Sequence, residues 1–270
     1  MITGIHHVAL VVRSLDDSVK FYREVLGLPL GRCETVQEQG VRAALFPLQQ
    51  GEIELLEPVN PAGGVAKFLE KRGEGPHHLC VATDDIDGQL AAAKAAGVPL
   101  IDQAPRDGLA GRIGFLHPSA SQGVLVELAQ PGPATHHVPA AGGGGMGAEW
   151  VQTVYLGVKD LAAGAETFVR TYAGRAAEPP AEDPRLGLLT LSVQVGSGRV
   201  TLVPAGEQAG KTFGGRREGL LGVQLAVKDL QAAVHHLGAR SVGAQRLSGG
   251  TLPPLVRLDA PQAKMTLLIA

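Results

Sequence analysis

Val8-Ala-Leu-Val-Val12, followed at once by Ser14-Leu-Asp-Asp17 and a run to Gly27, carries the pattern on which the fold turns. Its first five residues are apolar and rich in β-branched Val, a composition that favours a strand. Ser14 stands where a side-chain oxygen caps a helix N-terminus, and Asp16 and Asp17 put negative charge into the first turn. Leu15, Val19, Tyr22, Val25 and Leu26 then recur on one helical face, and Gly27 closes the helix.

The same sentence is written three more times. Leu79-Cys-Val-Ala82 leads to Asp85-Ile-Asp87 and a helix ending at Gly97. Val154-Tyr-Leu-Gly-Val158 leads to Asp160 and a helix ending near Gly174, and Val223-Gln-Leu-Ala-Val227 leads to Asp229 and a helix ending near Gly238. The caps at 14, 85, 160 and 229 are 71, 75 and 69 residues apart. Strand-like segments follow each helix: Ala43–Phe46 and Glu52–Leu56, Arg112–Leu116 and Val124–Leu128, Leu188–Val193 and Arg199–Val203. Each unit is one strand, one helix and a short antiparallel meander. Four βαβββ modules make an α+β chain of two paired-module domains.

Length agrees with this reading. The chain has 270 residues, and domains of ~100–200 residues make two. Hydrophobic residues form 44% of it and charged ones 19%, which excludes an intrinsically disordered protein. A formal charge of −2 offers no basic field, so neither nucleic acid nor a membrane is expected as partner. Cys33 and Cys80 are too few for a disulfide framework or a thiolate cluster. Met1-Ile-Thr-Gly-Ile-His-His7 does not read as a secretory start, so the protein is expected in the cytoplasm. The uncharged run between Glu127 and Glu149 is full of Gly, Pro and His and reads as a linker. The expected domains are therefore 1–130 and 148–270, joined by a Gly/Pro-rich linker at 131–147 whose His136-His137 pair is solvated.

Eight of the nine histidines occur as adjacent pairs, and the repeat gives two of those pairs a context. A shift of 71 lays His6-His7 on His77-His78, and a shift of 73 lays Glu54-Leu-Leu-Glu-Pro58 on Glu127-Leu-Ala-Gln-Pro131. If the first two modules pair about a pseudo-twofold axis, two imidazoles and two carboxylates converge. That donor set suits a divalent Co, Mn, Ni, Fe or Zn ion. Four protein ligands around a six-coordinate ion leave two positions for substrate oxygens. Strand alternation alone leaves open which His of each pair points inward. In the second half the His7 position becomes Thr153 and that of His78 becomes Gly222, while Glu127 becomes Leu267 and Glu54 falls near Thr201. The second domain is thus a degenerate copy without ligands. His235-His236, on a helix beside Val234 and Leu237, reads as a structural pair.

Residues 4–130 resemble the vicinal oxygen chelate superfamily, which includes glyoxalase I, extradiol dioxygenases and antibiotic-resistance proteins. They are most similar to its methylmalonyl-CoA epimerase family. The resemblance rests on His6-His7-Val-Ala9, Phe21-Tyr-Arg-Glu-Val-Leu-Gly-Leu28, Glu38-Gln-Gly-Val41 and Glu52-Ile-Glu-Leu-Leu-Glu-Pro58. It continues through Val65–Lys71, Gly73-Glu-Gly-Pro-His-His-Leu79, Leu100–Arg106, Phe115-Leu-His-Pro118 and Gly123-Val-Leu-Val-Glu127. The resemblance implies a metal held by His7, Glu54, His78 and Glu127, which selects the second His of each pair. His6 and His77 then face the other way as supporting or packing residues. It further implies a 2-substituted malonyl thioester of coenzyme A as substrate, an α-proton removed to give a metal-stabilised enolate, and Glu127 as acid/base on one face. Two departures stand out: Ala43 where relatives carry a second carboxylate, and Ser119 where they often carry Lys. The first leaves the other acid/base open, with Glu38, Glu52 or a metal-bound water as candidates. Alternatives to the epimerase are a glyoxalase-I-like lactoylglutathione lyase and a non-catalytic small-molecule-binding protein. The assembly expected is a monomer with pseudo-dimeric domains or a homodimer.

Overall fold

A computed structural model describes residues 1–132, 145–176 and 178–270. Module one runs β1 (Ile2–Val11), α1 (Leu15–Lys20), β2 (Cys33–Val36), β3 (Val41–Pro47) and β4 (Glu52–Pro58), and α2 (Gly64–Arg72) leads out of it. Module two is β5 (Gly75–Thr83), α3 (Ile86–Ala95), β6 (Arg106–Gly108), β7 (Gly111–Leu116) and β8 (Leu125–Gln130). Module three has β9 (Ala148–Val158), α4 (Leu161–Tyr172), β10 (Arg175–Ala176), β11 (Ala181–Asp183), β12 (Leu188–Val195) and β13 (Gly198–Pro204). After α5 (Glu207–Thr212), module four follows as β14 (Gly219–Val227), α6 (Leu230–Gly238), β15 (Gly243–Leu247), β16 (Leu255–Asp259) and β17 (Thr266–Ile269).

Local chemistry sets these boundaries. Ser14, Asp85, Asp160 and Asp229 each cap their helix, accepting from the backbone N–H three residues on at 3.2, 2.9, 3.0 and 2.9 Å. Each such cap contributes ~1 kcal/mol. The first helix departs from the expected plain period. It widens into a π turn at Phe21–Val25, where Leu26 N–H donates to Phe21 O. The wider turn lets Phe21 and Tyr22, adjacent in sequence, both be buried. Between β3 and β4 the Gln-Gln-Gly turn closes on Gly51, whose φ of 78° is disfavoured for residues with a Cβ.

Strands of residues 2–130 form an eight-stranded sheet in the order β2-β3-β4-β1-β5-β8-β7-β6. Those of the second half follow β10-β12-β13-β9-β14-β17-β16-β15, with β11 beside β12. In module one β4 runs parallel to β1 and antiparallel to β3. Val8, Leu10, Ala44, Phe46, Ile53 and Leu55 share one buried face. Tyr22 stacks obliquely on Phe46 there, with ring centroids 5.2 Å apart. His7, Glu52 and Glu54 turn to the opposite face.

The described residues cluster into two compact units, and each draws on both halves of the chain. One comprises residues 7–77, 145–151 and 223–270. Within it the Tyr22 hydroxyl donates to Ala263 O at 2.8 Å, and His236 Nε2 donates to Val25 O at 3.0 Å. Arg240 Nε donates to Glu24 O at 3.0 Å, so His236 and Arg240 together cap the π turn. Glu74 accepts from Arg13 N–H and from Lys264, each at 2.9 Å. The other unit comprises residues 1–6, 78–132 and 152–222. There Tyr172 shares a buried hydrogen bond with Ser121, and Ser197 N–H donates to Thr3 O at 2.9 Å. In both units a buried tyrosine of one module reaches the 3-10 turn before the last strand of another. Of the expected linker, 133–144, with His136-His137, lies outside the described residues. No helix among the described residues is long and apolar enough to cross a membrane.

Candidate metal centre

The parallel pairing of β1 with β4 puts His7 opposite Glu52 and Ala9 opposite Glu54. His7 Nε2 thereby lies 3.4 Å from Glu54 Oε2, diagonally across the ladder, and both side chains are buried. They belong to a buried His/Glu group able to hold a metal ion. Module two repeats the relation in its own unit. The pairing of β5 with β8 puts His78 opposite Leu125 and Cys80 opposite Glu127. His78 Nε2 lies 2.8 Å from Glu127 Oε2, again diagonally and again buried.

These arrangements fit a divalent cation. Each pair offers an imidazole nitrogen and a carboxylate oxygen, donors shared by Mn, Fe, Co, Ni and Zn sites. Burying either carboxylate costs free energy that a cation would offset. Phe115, opposite Glu127 on β7, meets the His78 ring edge-on at 5.2 Å and 87°. The Arg106 guanidinium lies over the Phe115 ring, 5.6 Å from its centroid. Cys80, Ile113 and Ala129 complete an apolar wall with Phe115. Phe115 packs on the candidate ligand His78, a contact that reading the sequence missed, although its place opposite Glu127 follows from pairing the two predicted strands.

The first members of the His pairs have neighbours of their own. The His77 ring stands edge-on to Phe68, with centroids 4.8 Å apart. His6 is buried, with a ring nitrogen within 4.8 Å of Cys80 Sγ. Glu38 is exposed on a 3-10 turn, and Ser119 is exposed beside the His117 ring. Glu52 differs from these: it is buried, on the face of His7 and Glu54. Burial, then the charge of Glu54, holds its carboxyl above the ordinary carboxylate range, while His7 and Arg32 act in the other direction.

In module three Tyr155 pairs with Thr201 as Ala9 pairs with Glu54. This register assigns Thr201 to the Glu54 position and Thr153 to that of His7. The Thr201 hydroxyl bonds Ser192 Oγ at 2.9 Å, so one hydroxyl satisfies the other. Tyr155 packs obliquely on Phe213 at 5.2 Å. Its hydroxyl is held above the ordinary phenol range by burial and then by the charge of Asp183.

A family model described as the Glyoxalase/Bleomycin resistance protein/Dioxygenase superfamily matches residues 6–116. The uncharacterized protein YqjC of Bacillus subtilis is 40% identical over 132 residues, covering 48% of this chain and 94% of that protein. An ethylmalonyl-CoA/methylmalonyl-CoA epimerase of Cereibacter sphaeroides is 35% identical over 133 residues, or 48% of this chain and 99% of the relative. At the level of fold, a triple mutant of 4-hydroxymandelate synthase from Streptomyces coelicolor matches 99% of this chain and 92% of its own. Its TM-score is 0.74 at 16% identity.

Proposed function

The chain belongs to the glyoxalase/bleomycin resistance/dioxygenase superfamily, with two glyoxalase-like domains, and from that premise we propose that it is a metal-dependent epimerase of methylmalonyl-CoA or a close 2-substituted malonyl thioester. Residues 1–130 form the metal-bearing domain, and residues 148–270 a degenerate partner joined by a linker. His7, Glu54, His78 and Glu127 hold one divalent cation. The observation that carries the reading is the twofold recurrence of a buried His–Glu pair in one register, in a half-chain that aligns with an ethylmalonyl-CoA/methylmalonyl-CoA epimerase over 99% of that relative.

When bound, the cation supplies Lewis-acid stabilisation of the charge that grows on the thioester oxygen. Inversion needs a base on one face and an acid on the other, and the chain supplies the first from Glu127. Glu127 moves the α-proton at its carboxylate oxygen, with the His78 ring held by contacts to it and to Phe115. The wall of Cys80, Ile113, Phe115 and Ala129 keeps water from the carbanion. Modules three and four bring hydroxyls and apolar groups to the corresponding positions and hold no second cation there.

Methylmalonyl-CoA incubated with the metal-loaded protein in deuterium oxide should exchange its α-proton, read as a gain of one mass unit and loss of the α-proton resonance. Metal-replete protein that leaves that proton in place refutes the assignment. Turnover of the glutathione–methylglyoxal adduct instead would reassign the chain as a lyase.

A further inference from the structure

Glu52 stands directly opposite His7 on β4 and is only 5% exposed. Its Oε2 has no hydrogen-bond partner among the described residues. The internal repeat acts as a built-in control for this position. Opposite His78, the same place in the ladder holds Leu125. The sheet there is satisfied by an apolar side chain, and nothing in the packing calls for an acid. A glutamate forfeits that apolar burial and takes a carboxyl out of water with one oxygen, Oε2, lacking a donor. Strand alternation turns it to the face of His7 and Glu54. The ionisable groups acting on it are His7, Glu54 and Arg32, so two carboxylates crowd one imidazole and one guanidinium.

Resting on the reading that His7 and Glu54 help hold a divalent cation, we propose that Glu52 is a further carboxylate of that cation site. It is contributed by the first module alone and acts through its charge from beside the four ligands. Its burial then has a counterpart: the charge that destabilises the metal-free chain stabilises the loaded one. Residues kept at a cost to stability are a mark of function rather than packing. The extra charge favours a divalent over a monovalent cation. It also makes the site asymmetric, with two acids on the His7 side and one on the His78 side.

Two variants of the full chain test this, with Mn²⁺ and Co²⁺ as probes in competition with a chromogenic chelator. Glu52→Leu copies the residue of module two, and Glu52→Gln keeps the shape while removing the charge. Both should lower divalent-metal affinity by ~10-fold or more, the usual range for a carboxylate supporting a metal from outside its ligand shell. The melting temperature of metal-free Glu52→Leu should rise, whereas a purely structural role for Glu52 would lower it. Affinity within twofold of the parent in either variant overturns the proposal, as does a lower metal-free melting temperature for Glu52→Leu. Because the readouts are binding and stability, they stand apart from the deuterium exchange. A parent that exchanges while its variants bind metal normally sinks this inference alone. A parent that binds metal through Glu52 without exchanging sinks only the epimerase assignment.

Discussion

Removing a single oxygen atom from Tyr22 tests how the first and last modules are held together. The side chain is fully buried, and its hydroxyl donates to Ala263 O at 2.8 Å. Ala263 is itself fully buried, so Tyr22→Phe leaves a carbonyl in the interior without its donor. A stranded buried acceptor costs ~1–3 kcal/mol, offset in part because the phenylalanine no longer needs to desolvate a hydroxyl. We expect a net loss of ~1–2 kcal/mol, or about 2–8 °C in melting temperature at 2–4 °C per kcal/mol for chains of roughly this size. The chain offers a convenient reporter. Its one tryptophan, Trp150, lies in the same compact unit as Tyr22 and Ala263. Urea unfolding followed by Trp150 fluorescence should show a lower midpoint at unchanged slope. A loss under ~0.3 kcal/mol would mean that the hydroxyl does not tie the first helix to the last loop, and the account of this unit would fail.

Two further expectations bear on the site and on the second domain. His78→Ala and Glu127→Ala should each weaken divalent-metal binding at least ~10-fold by calorimetry, since each removes one of four proposed ligands; unchanged affinity in either refutes the quartet. Burial alone would raise the Asp183 carboxyl, but hydrogen bonds from the Arg185 side chain and from the backbone N–H groups of Arg185 and Leu186 outweigh it and hold it below the ordinary range. A depressed folded value gives stability that is present above the unfolded value of ~3.9 and lost as pH falls through the folded one. Asp183→Asn should therefore cost stability at neutral pH and lose that deficit on acidification below about pH 4. A stability difference that stays flat from pH 7 to pH 3 would contradict this.

Features that depend on neighbours in the chain could be read from the residues. The four caps and the ten principal strands named above follow from local composition, because a cap needs only an oxygen three residues before an N–H. Short edge strands such as Cys33–Val36 escaped because they are exposed and carry no apolar alternation. The π turn escaped because its widening answers the packing of Phe21 and Tyr22 rather than a sequence period. Glu52-Ile-Glu54 reads as a strand with one wet face, and only the burial of that face makes its acids exceptional. The repeat puts the Glu54 position only near Thr201, and the exact match comes from strand register, which a single strand read alone does not carry. The choice of partner modules within each compact unit is likewise non-local, and no motif announces it.

Tyr22 and Ala263 are 241 residues apart in the chain. The unit that contains His7 and Glu54 is therefore completed only by residues 223–270, which are synthesised long after the first module. Until they emerge, the first module has surfaces made for a partner that has not yet been synthesised. Such long-range closure slows folding and prolongs the exposure of apolar surface. Carrying both parts of this unit in one polypeptide makes birth order matter: the module bearing two of the candidate ligands is translated well before the segment that completes its packing.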